Sequence, residues 1–138
     1  MDSIILKYYD GTAWQSLTFY YTKIIQAPNI NKSSGETLSG VLYQNNFSKR
    51  YNYNVNLLLS DVSPYATTLS AQKSFLYNFF TANKQRISGT IDGTTFADVD
   101  VICETNGVAQ LDLVENSKYI RTVNLILNEK YNKTGAFL

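Results

Sequence analysis

The sequence predicts a mainly β domain, either an antiparallel β-sandwich or a partly open barrel, with one α-helix packed on it. In the stretch YNYNVNLLLS, residues 51–60, apolar residues alternate with amides. Successive side chains of a strand point to opposite faces, so this alternation predicts a half-buried strand with one amide face. A single helical stripe interrupts a series of short strand-like segments joined by turn residues, which favours a sandwich or a barrel.

The composition indicates one domain that works by contact rather than by chemistry. The 138 residues suffice for a domain with its own core, and the 12 basic and 11 acidic residues form no basic run. We therefore expect no sequence-specific nucleic-acid binding. The apolar stretches are too short for a membrane span, and the first residues have no signal-peptide pattern. Histidine is absent and Cys103 is the single cysteine, which excludes His-based catalysis, most zinc sites and an intrachain disulfide.

Short strands joined by turns account for most of the chain. The dipeptides Asp10-Gly11 and Asp92-Gly93 are hairpin turn signals, and Asn45-Asn46 is also expected to turn the chain. Residues 26–40, QAPNINKSSGETLSG, have the composition of a long loop, and residues 131–138 are expected to form an extended C-terminal tail. The predicted strands are residues 3–9, 14–25, 41–43, 49–60, 86–91, 96–104, 108–114 and 118–130.

One helix is predicted over residues 69–83, after the long strand. Ser63-Pro64 ends the strand pattern, and Ser63 is a candidate helix cap because proline is favoured in the first turn. Thr68 or Ser70 is a second possible cap. Apolar residues at helical spacing form a broad stripe that should pack on the sheet. The main helix-to-sheet contacts are expected from Phe75, Leu76, Phe79 and Phe80.

Two groups of residues suggest chemistry, and neither is predicted to be a site. Asp98 and Asp100 lie on one face of a predicted strand, where paired carboxylates suit acid–base work or a hard cation. Val99 and Val101 would take the buried side, so a solvated carboxylate face is the interpretation we favour. Cys103 has no histidine to activate it and is expected to be a small buried hydrophobe. We predict no catalytic residue, no cofactor and no metal site.

The aromatic residues permit a binding interpretation. Trp14, Tyr43, Tyr51 and Tyr53 could stack on saccharide rings while asparagine amides bind the hydroxyls. Tyr51 and Tyr53, however, share a strand face with Val55, so packing in the core is the interpretation we favour for these two.

Five stretches together suggest a family. They are APNINKSSGETLSGV, KRYNYNVNLLLS, SFLYNFF, IDGTTFADVDV and KYIRTVNLILNE, in the order loop, long strand, helix, hairpin and closing strand. This order resembles the small β-sandwich domains of tail-tube and distal tail (baseplate) proteins of tailed bacteriophages. The resemblance implies a virion tail protein, made in the host cytoplasm, that catalyses nothing. It implies homo-oligomeric rings around a DNA channel, in contact with other tail or baseplate proteins. The alternative is a carbohydrate- or host-surface-binding β-sandwich module.

The long loop and the tail are the predicted subunit contacts. Both carry apolar side chains that a solitary domain would leave in water. Ordering such segments costs about 1–2 kcal/mol per residue in backbone entropy, which contacts in a closed ring would offset. Disorder of the tail and packing of the loop on itself are the alternatives. The predicted interface residues are Ile30, Lys32, Leu38, Phe137 and Leu138.

Overall fold

Alternating apolar side chains line the inside of a closed antiparallel barrel in the computed structural model. The structure describes residues 2–36, 40, 42–61, 65–103 and 121–130. Its strands are β1 Ser3–Tyr9, β2 Trp14–Glu36, β3 Leu42–Leu59, β4 Gln85–Ile91, β5 Thr94–Cys103 and β6 Arg121–Glu129, with helix α1 Leu69–Thr81 between β3 and β4. Around the barrel the order is β1-β2-β3-β6-β5-β4, and β4 pairs with β1 to close it.

The prediction of a mainly β fold with one helix is confirmed, but the architecture is a closed barrel rather than a sandwich or a partly open barrel. Closure occurs at β1, where Leu6 lies opposite Leu17 of β2 on one side and Ile87 of β4 on the other. Sandwich and barrel strands both bury one face and expose the other, so alternation along the sequence cannot separate the two architectures.

The core consists of the inward faces of the strands together with one face of α1. On β3 the predicted alternation is confirmed: every second residue from Tyr53 to Leu59 is buried, and the asparagines between them face outward. Leu58, on the outer side, is only partly buried. Removing such apolar surface from water contributes about 25 cal/mol per Å². The largest buried apolar side chains are Tyr53, Phe19, Phe79, Ile4, Leu6, Leu57, Leu59, Leu76, Ile87, Leu125 and Leu127.

Helix α1 begins and packs as predicted. Thr68 is the N-cap, and its hydroxyl accepts a hydrogen bond from the Ala71 N–H at 3.2 Å. Leu76 and Phe79 are buried in the core, and Phe75 and Phe80 pack against it. The helix ends at Thr81 rather than at residue 83, and the Gln85 side chain donates to the Phe79 and Ala82 carbonyls at 2.9 and 2.8 Å. This amide satisfies carbonyls that a helix end leaves without a partner.

The predicted loop at residues 26–40 is wrong over most of its length. Residues 26–36 continue β2 and pair with residues 42–53 of β3, and Asn45-Asn46 lies within β3 rather than at a turn. In this part of the chain β2 and β3 are held together by backbone pairing, although the sequence of residues 26–36 does not alternate between apolar and polar residues. Pro28 lies where β2 pairs with β3 and with no other described strand. Proline is found at such edge positions because an N–H on the outer edge would have no strand partner.

Two of the turn predictions are confirmed. Asp92 and Gly93 have φ values of 48° and 79° and join β4 to β5 as a two-residue loop, which requires positive φ at both positions. Gly11, with φ 101°, lies in the connection from β1 to β2. A further positive φ of 49° occurs at Asp98, where β5 bulges opposite Ser88 and the pairing register shifts.

Several predictions lie outside the described residues. They are the Ser63-Pro64 break, the short strand at residues 108–114 and the tail at residues 131–138. The final strand, predicted at residues 118–130, is described from Arg121 to Glu129.

Candidate interaction surfaces

The two aspartates that suggested chemistry each bind a cation on the barrel surface. The Lys7 ammonium bonds the Asp98 carboxylate, and Arg86 Nε donates to Asp100 Oδ1 at 2.9 Å. The hydrogen bond from Lys7 is the main cause that lowers the pKa of Asp98 below its usual value. Within the described ranges no group of three or more His, Cys, Asp or Glu residues could hold a metal ion. The two carboxylates therefore form part of a cross-strand charge pattern.

Cys103 lies at the end of β5, half-buried and packed against the core. Its neighbour Val101 is buried, whereas Ile102 is 50% exposed, so Cys103 is on the inner side of the strand as predicted. Cys103 pairs with Leu127 of β6, and its burial is less complete than that of Val101.

The amide face is the outer surface of β3 and β6. Asn54 lies opposite Ile25 of β2 on one side and Ile126 of β6 on the other, and these isoleucines are 45% and 39% exposed. Asn124 Nδ2 donates to the side-chain oxygens of Asn54 and Asn56 at 2.7 and 2.6 Å. The face is thus a hydrogen-bonded row of amides flanked by exposed aliphatic groups.

The ribbon comprises residues 29–36 of β2 and residues 42–50 of β3. These two segments pair with each other. The last β2 residue that pairs with β1 is Tyr20, and the first β3 residue that pairs with β6 is Asn52. Eight residues of strand span about 25 Å. Among the described residues, both outer edges of the ribbon therefore lack a third strand.

The aromatic cavity lies where β1, β2, β4, β5 and the end of α1 meet. The Tyr9 and Trp14 rings have centroids 5.5 Å apart and are inclined at 56°. Arg86 stacks over Trp14 with its guanidinium carbon 4.1 Å from the ring centroid, and Lys84 Nζ is 5.4 Å from the Tyr9 centroid. The cavity has a volume of about 680 Å³. Each of the two neighbouring rings thus has a cation over it.

The structure separates the four aromatic residues proposed for sugar stacking. Tyr53 is buried in the core, and Tyr51 is half-buried and packs against the core, which confirms the core interpretation for both. The Tyr43 side chain lies outside the described residues. Trp14 lines the aromatic cavity. Its partners Tyr9, Lys84 and Arg86 were missed, although Tyr9 and Trp14 flank the first turn signal and pair across the hairpin.

The predicted interface residues fall in two groups. Ile30 and Lys32 lie on β2 within the ribbon, in strand rather than in the predicted loop. Leu38, Phe137 and Leu138 lie outside the described residues. Their proposed contacts with other subunits stay a prediction.

Comparison with protein-family models gave no match, and a search of curated proteins found no significant match. Over the described part of the chain, no helix has the length and apolar character needed to cross a membrane. A function for the chain therefore has to be argued from its own surfaces and side chains.

Proposed function

We propose that the chain is a structural subunit of a phage-type tail or baseplate and assembles into a ring around a DNA channel. Its partners are further copies of itself and other tail or baseplate proteins, and its location is the virion tail. The observation that carries this proposal is the ribbon. Among the described residues it is a two-stranded extension without a third strand at either edge, and such edges offer backbone groups to neighbouring chains.

The two edges of the ribbon lie on opposite sides and belong to different strands. One edge is the outer side of β2 and the other is the outer side of β3. When the β2 edge of one copy pairs with the β3 edge of the next, the contact is head-to-tail, and such contacts close into rings if the rotation permits. Because β2 and β3 are antiparallel in one copy, the repeated order β2-β3-β2-β3 gives an antiparallel sheet throughout.

A deletion of the ribbon tests the proposal. Residues 30–49 are replaced by Asn-Gly, which joins the paired residues Asn29 and Arg50 through a two-residue hairpin turn. The pairings of β2 with β1 and of β3 with β6 lie outside the deletion, so the barrel should fold. Light scattering and electron microscopy should show rings for the intact chain and monomers for the variant. Tyr77→Ser, at an exposed aromatic residue of α1, is the control and should assemble normally.

Two smaller changes test the predicted interface residues. One variant combines Ile30→Ser with Leu38→Ser, and the other lacks residues 133–138. We expect both to fold with an unchanged circular dichroism spectrum and to assemble less well into rings or particles. Normal assembly of both variants, together with normal assembly of the ribbon deletion, would contradict the proposal.

A further inference from the structure

We propose that the aromatic cavity is a binding site for an acidic saccharide, that is, a sugar chain whose rings carry carboxylates. The site goes beyond the proposed function, because assembly of a ring does not require it. It is argued from the rings, the cations and the polar groups that meet between the first hairpin and the end of α1.

The two rings form a corner rather than a flat stack. With an inclination of 56° between them, Tyr9 and Trp14 present two apolar surfaces that meet at an angle. One face of Trp14 is already covered by Arg86 at 4.1 Å. Such a corner can hold the uneven apolar face of a sugar ring between two surfaces. Adenosine monophosphate, included in the titrations below, tests the alternative of a planar base.

Arg86 is fixed before any ligand arrives. Its guanidinium stacks on Trp14, and its Nε donates to Asp100 at 2.9 Å. A side chain that is already immobilised loses little rotamer entropy on binding. The planar guanidinium carries further N–H donors suited to a carboxylate.

The charges around the cavity favour an anion. Among the described residues that line it, Lys84, Arg86 and Lys130 are cations and Asp100 is an acid. The negative end of α1, which also borders the cavity, is covered by the Gln85 amide bound to the Phe79 and Ala82 carbonyls. Lys84 and the further N–H groups of Arg86 favour a ligand with negative charge.

Asp10, near the cavity in the β1–β2 connection, has its carboxylate occupied locally. It accepts hydrogen bonds from the Thr12 and Ala13 N–H groups, each at 2.8 Å, and from Gln15 Nε2 at 2.9 Å. The first two bonds are the main causes that lower the pKa of Asp10. Asp10 therefore stays ionised, with its carboxylate bound within the β1–β2 connection.

The polar character and the size of the cavity point to the same ligand class. About 680 Å³ is within the range of small-molecule sites, roughly 300–1,000 Å³. Asn83 supplies an exposed amide at the rim, which can both donate to and accept from hydroxyls. A ligand that combines hydroxyls, a carboxylate and an apolar ring face would contact the amide, the cations and the aromatic rings of the cavity.

Trp14 is the single tryptophan of the chain, so its fluorescence reports on this cavity alone. The intact protein is titrated with oligosaccharides of galacturonic acid. Maltooligosaccharides of equal length serve as the neutral arm, and adenosine monophosphate and inorganic phosphate serve as the nucleotide and free-anion arms. We expect a saturable change with the acidic saccharide only. It should weaken as the ionic strength rises to about 1 M, where the Debye length is about 3 Å.

Two variants connect the signal to the site. Lys84→Gln retains the fluorophore and should weaken binding at least about tenfold, which corresponds to 1.4 kcal/mol. Lys23→Gln, at an exposed lysine on β2, is the matched control and should bind normally. Trp14→Ala, followed by calorimetry because it lacks the fluorophore, should remove binding. Circular dichroism and unfolding midpoints confirm that each variant is folded.

Three results would overturn the inference. The first is the absence of saturable binding of the acidic saccharide. The second is equal or tighter binding of adenosine monophosphate or phosphate, which would make the cavity a nucleotide site or a general anion site. The third is equal affinity in Lys84→Gln and Lys23→Gln. Ring assembly is measured separately and is unaffected by each of these results.

Discussion

The side-chain amide of Gln72 binds both backbone groups of Ser60. Gln72 Oε1 accepts from the Ser60 N–H at 3.1 Å, and Gln72 Nε2 donates to the Ser60 carbonyl at 2.8 Å. Gln72 is fully buried on the inner face of α1, and Ser60 is the first residue after β3. The amide therefore continues the hydrogen bonding of β3 past its last ladder residue and attaches the helix to it.

Gln72→Leu should destabilise the protein although it retains the volume of the side chain. The change removes both bonds to Ser60 and leaves two backbone groups without these partners, at a cost of about 1–3 kcal/mol each where they stay buried. Urea unfolding measures the effect, with Ser74→Ala on the exposed face of α1 as the control. Equal midpoints for the two variants would show that the amide bonds contribute nothing.

Phe79→Ala and Phe80→Ala should differ in their cost. Phe79 is fully buried, whereas Phe80 is only partly buried against the core. Removing a buried phenylalanine side chain costs about 3–5 kcal/mol through lost burial and the cavity that remains. We expect this range for Phe79→Ala and a smaller loss for Phe80→Ala. If the unfolding midpoint changed in neither variant, the burial of Phe79 between α1 and the barrel would be contradicted.

The stability of the barrel should fall in strong alkali through Tyr53. Burial raises the pKa of Tyr53 from 10.0 to about 12. Below pH 10 the phenol is protonated in the folded and the unfolded chain, so its contribution is constant. Between pH 10 and 12 the unfolded chain loses this proton while the folded chain retains it, so stability decreases as pH rises.

Tyr53→Phe isolates this contribution. Unfolding midpoints measured below pH 10 and between pH 10 and 12 should fall less steeply in the variant than in the unchanged chain. Some slope should persist, because burial also raises the pKa values of Tyr21 and Tyr65. Identical slopes would mean that Tyr53 titrates like a solvated phenol.

The paired substitution Asp98→Asn with Asp100→Asn should leave folding and assembly nearly intact. Each carboxylate forms a surface ion pair, and such pairs contribute about 0–1 kcal/mol. Asp98→Val should cost more, because the residue has a φ of 49° and a left-handed backbone costs most L-residues about 1–2 kcal/mol. Unfolding midpoints of the two variants check this order.

Metal analysis of the same proteins addresses the predicted absence of a metal site. We expect no stoichiometric calcium in the purified chain and no hydrolytic or redox activity. Stoichiometric calcium that disappears in the Asp98→Asn, Asp100→Asn variant would overturn that prediction.

The elements governed by local rules were predictable from the sequence. The Asp92-Gly93 turn, the Thr68 cap and the inward face of β3 each follow from residues next to one another in the chain. The ribbon was not predictable, because its strands are stabilised by pairing with each other and carry the Pro, Gly and Ser content of a loop. Barrel closure was not predictable either, since it depends on the pairing of β1 with β4, which are far apart in the sequence.

On the surfaces, too, features set by neighbouring residues were predictable and features set by long-range pairing were not. The outward amides of β3 follow from the period of a strand, and Trp14 could be chosen as an aromatic residue beside a turn. The positions of Lys84 and Arg86 beside the first hairpin could not be predicted, because they depend on the pairing of β4 with β1. Side chains brought together by such long-range pairing have no shared pattern in the sequence.

The pairing of β1 with β4 also leaves β1 without its second neighbour for part of the protein's synthesis. β1 is made before the other described strands, yet its second neighbour is made only after β3 and α1. Until then the nascent sheet has β1 at its boundary, where unpaired backbone invites association with other nascent chains. Lys7, with its charge in the middle of β1, opposes such association before Arg86 takes its place beside it.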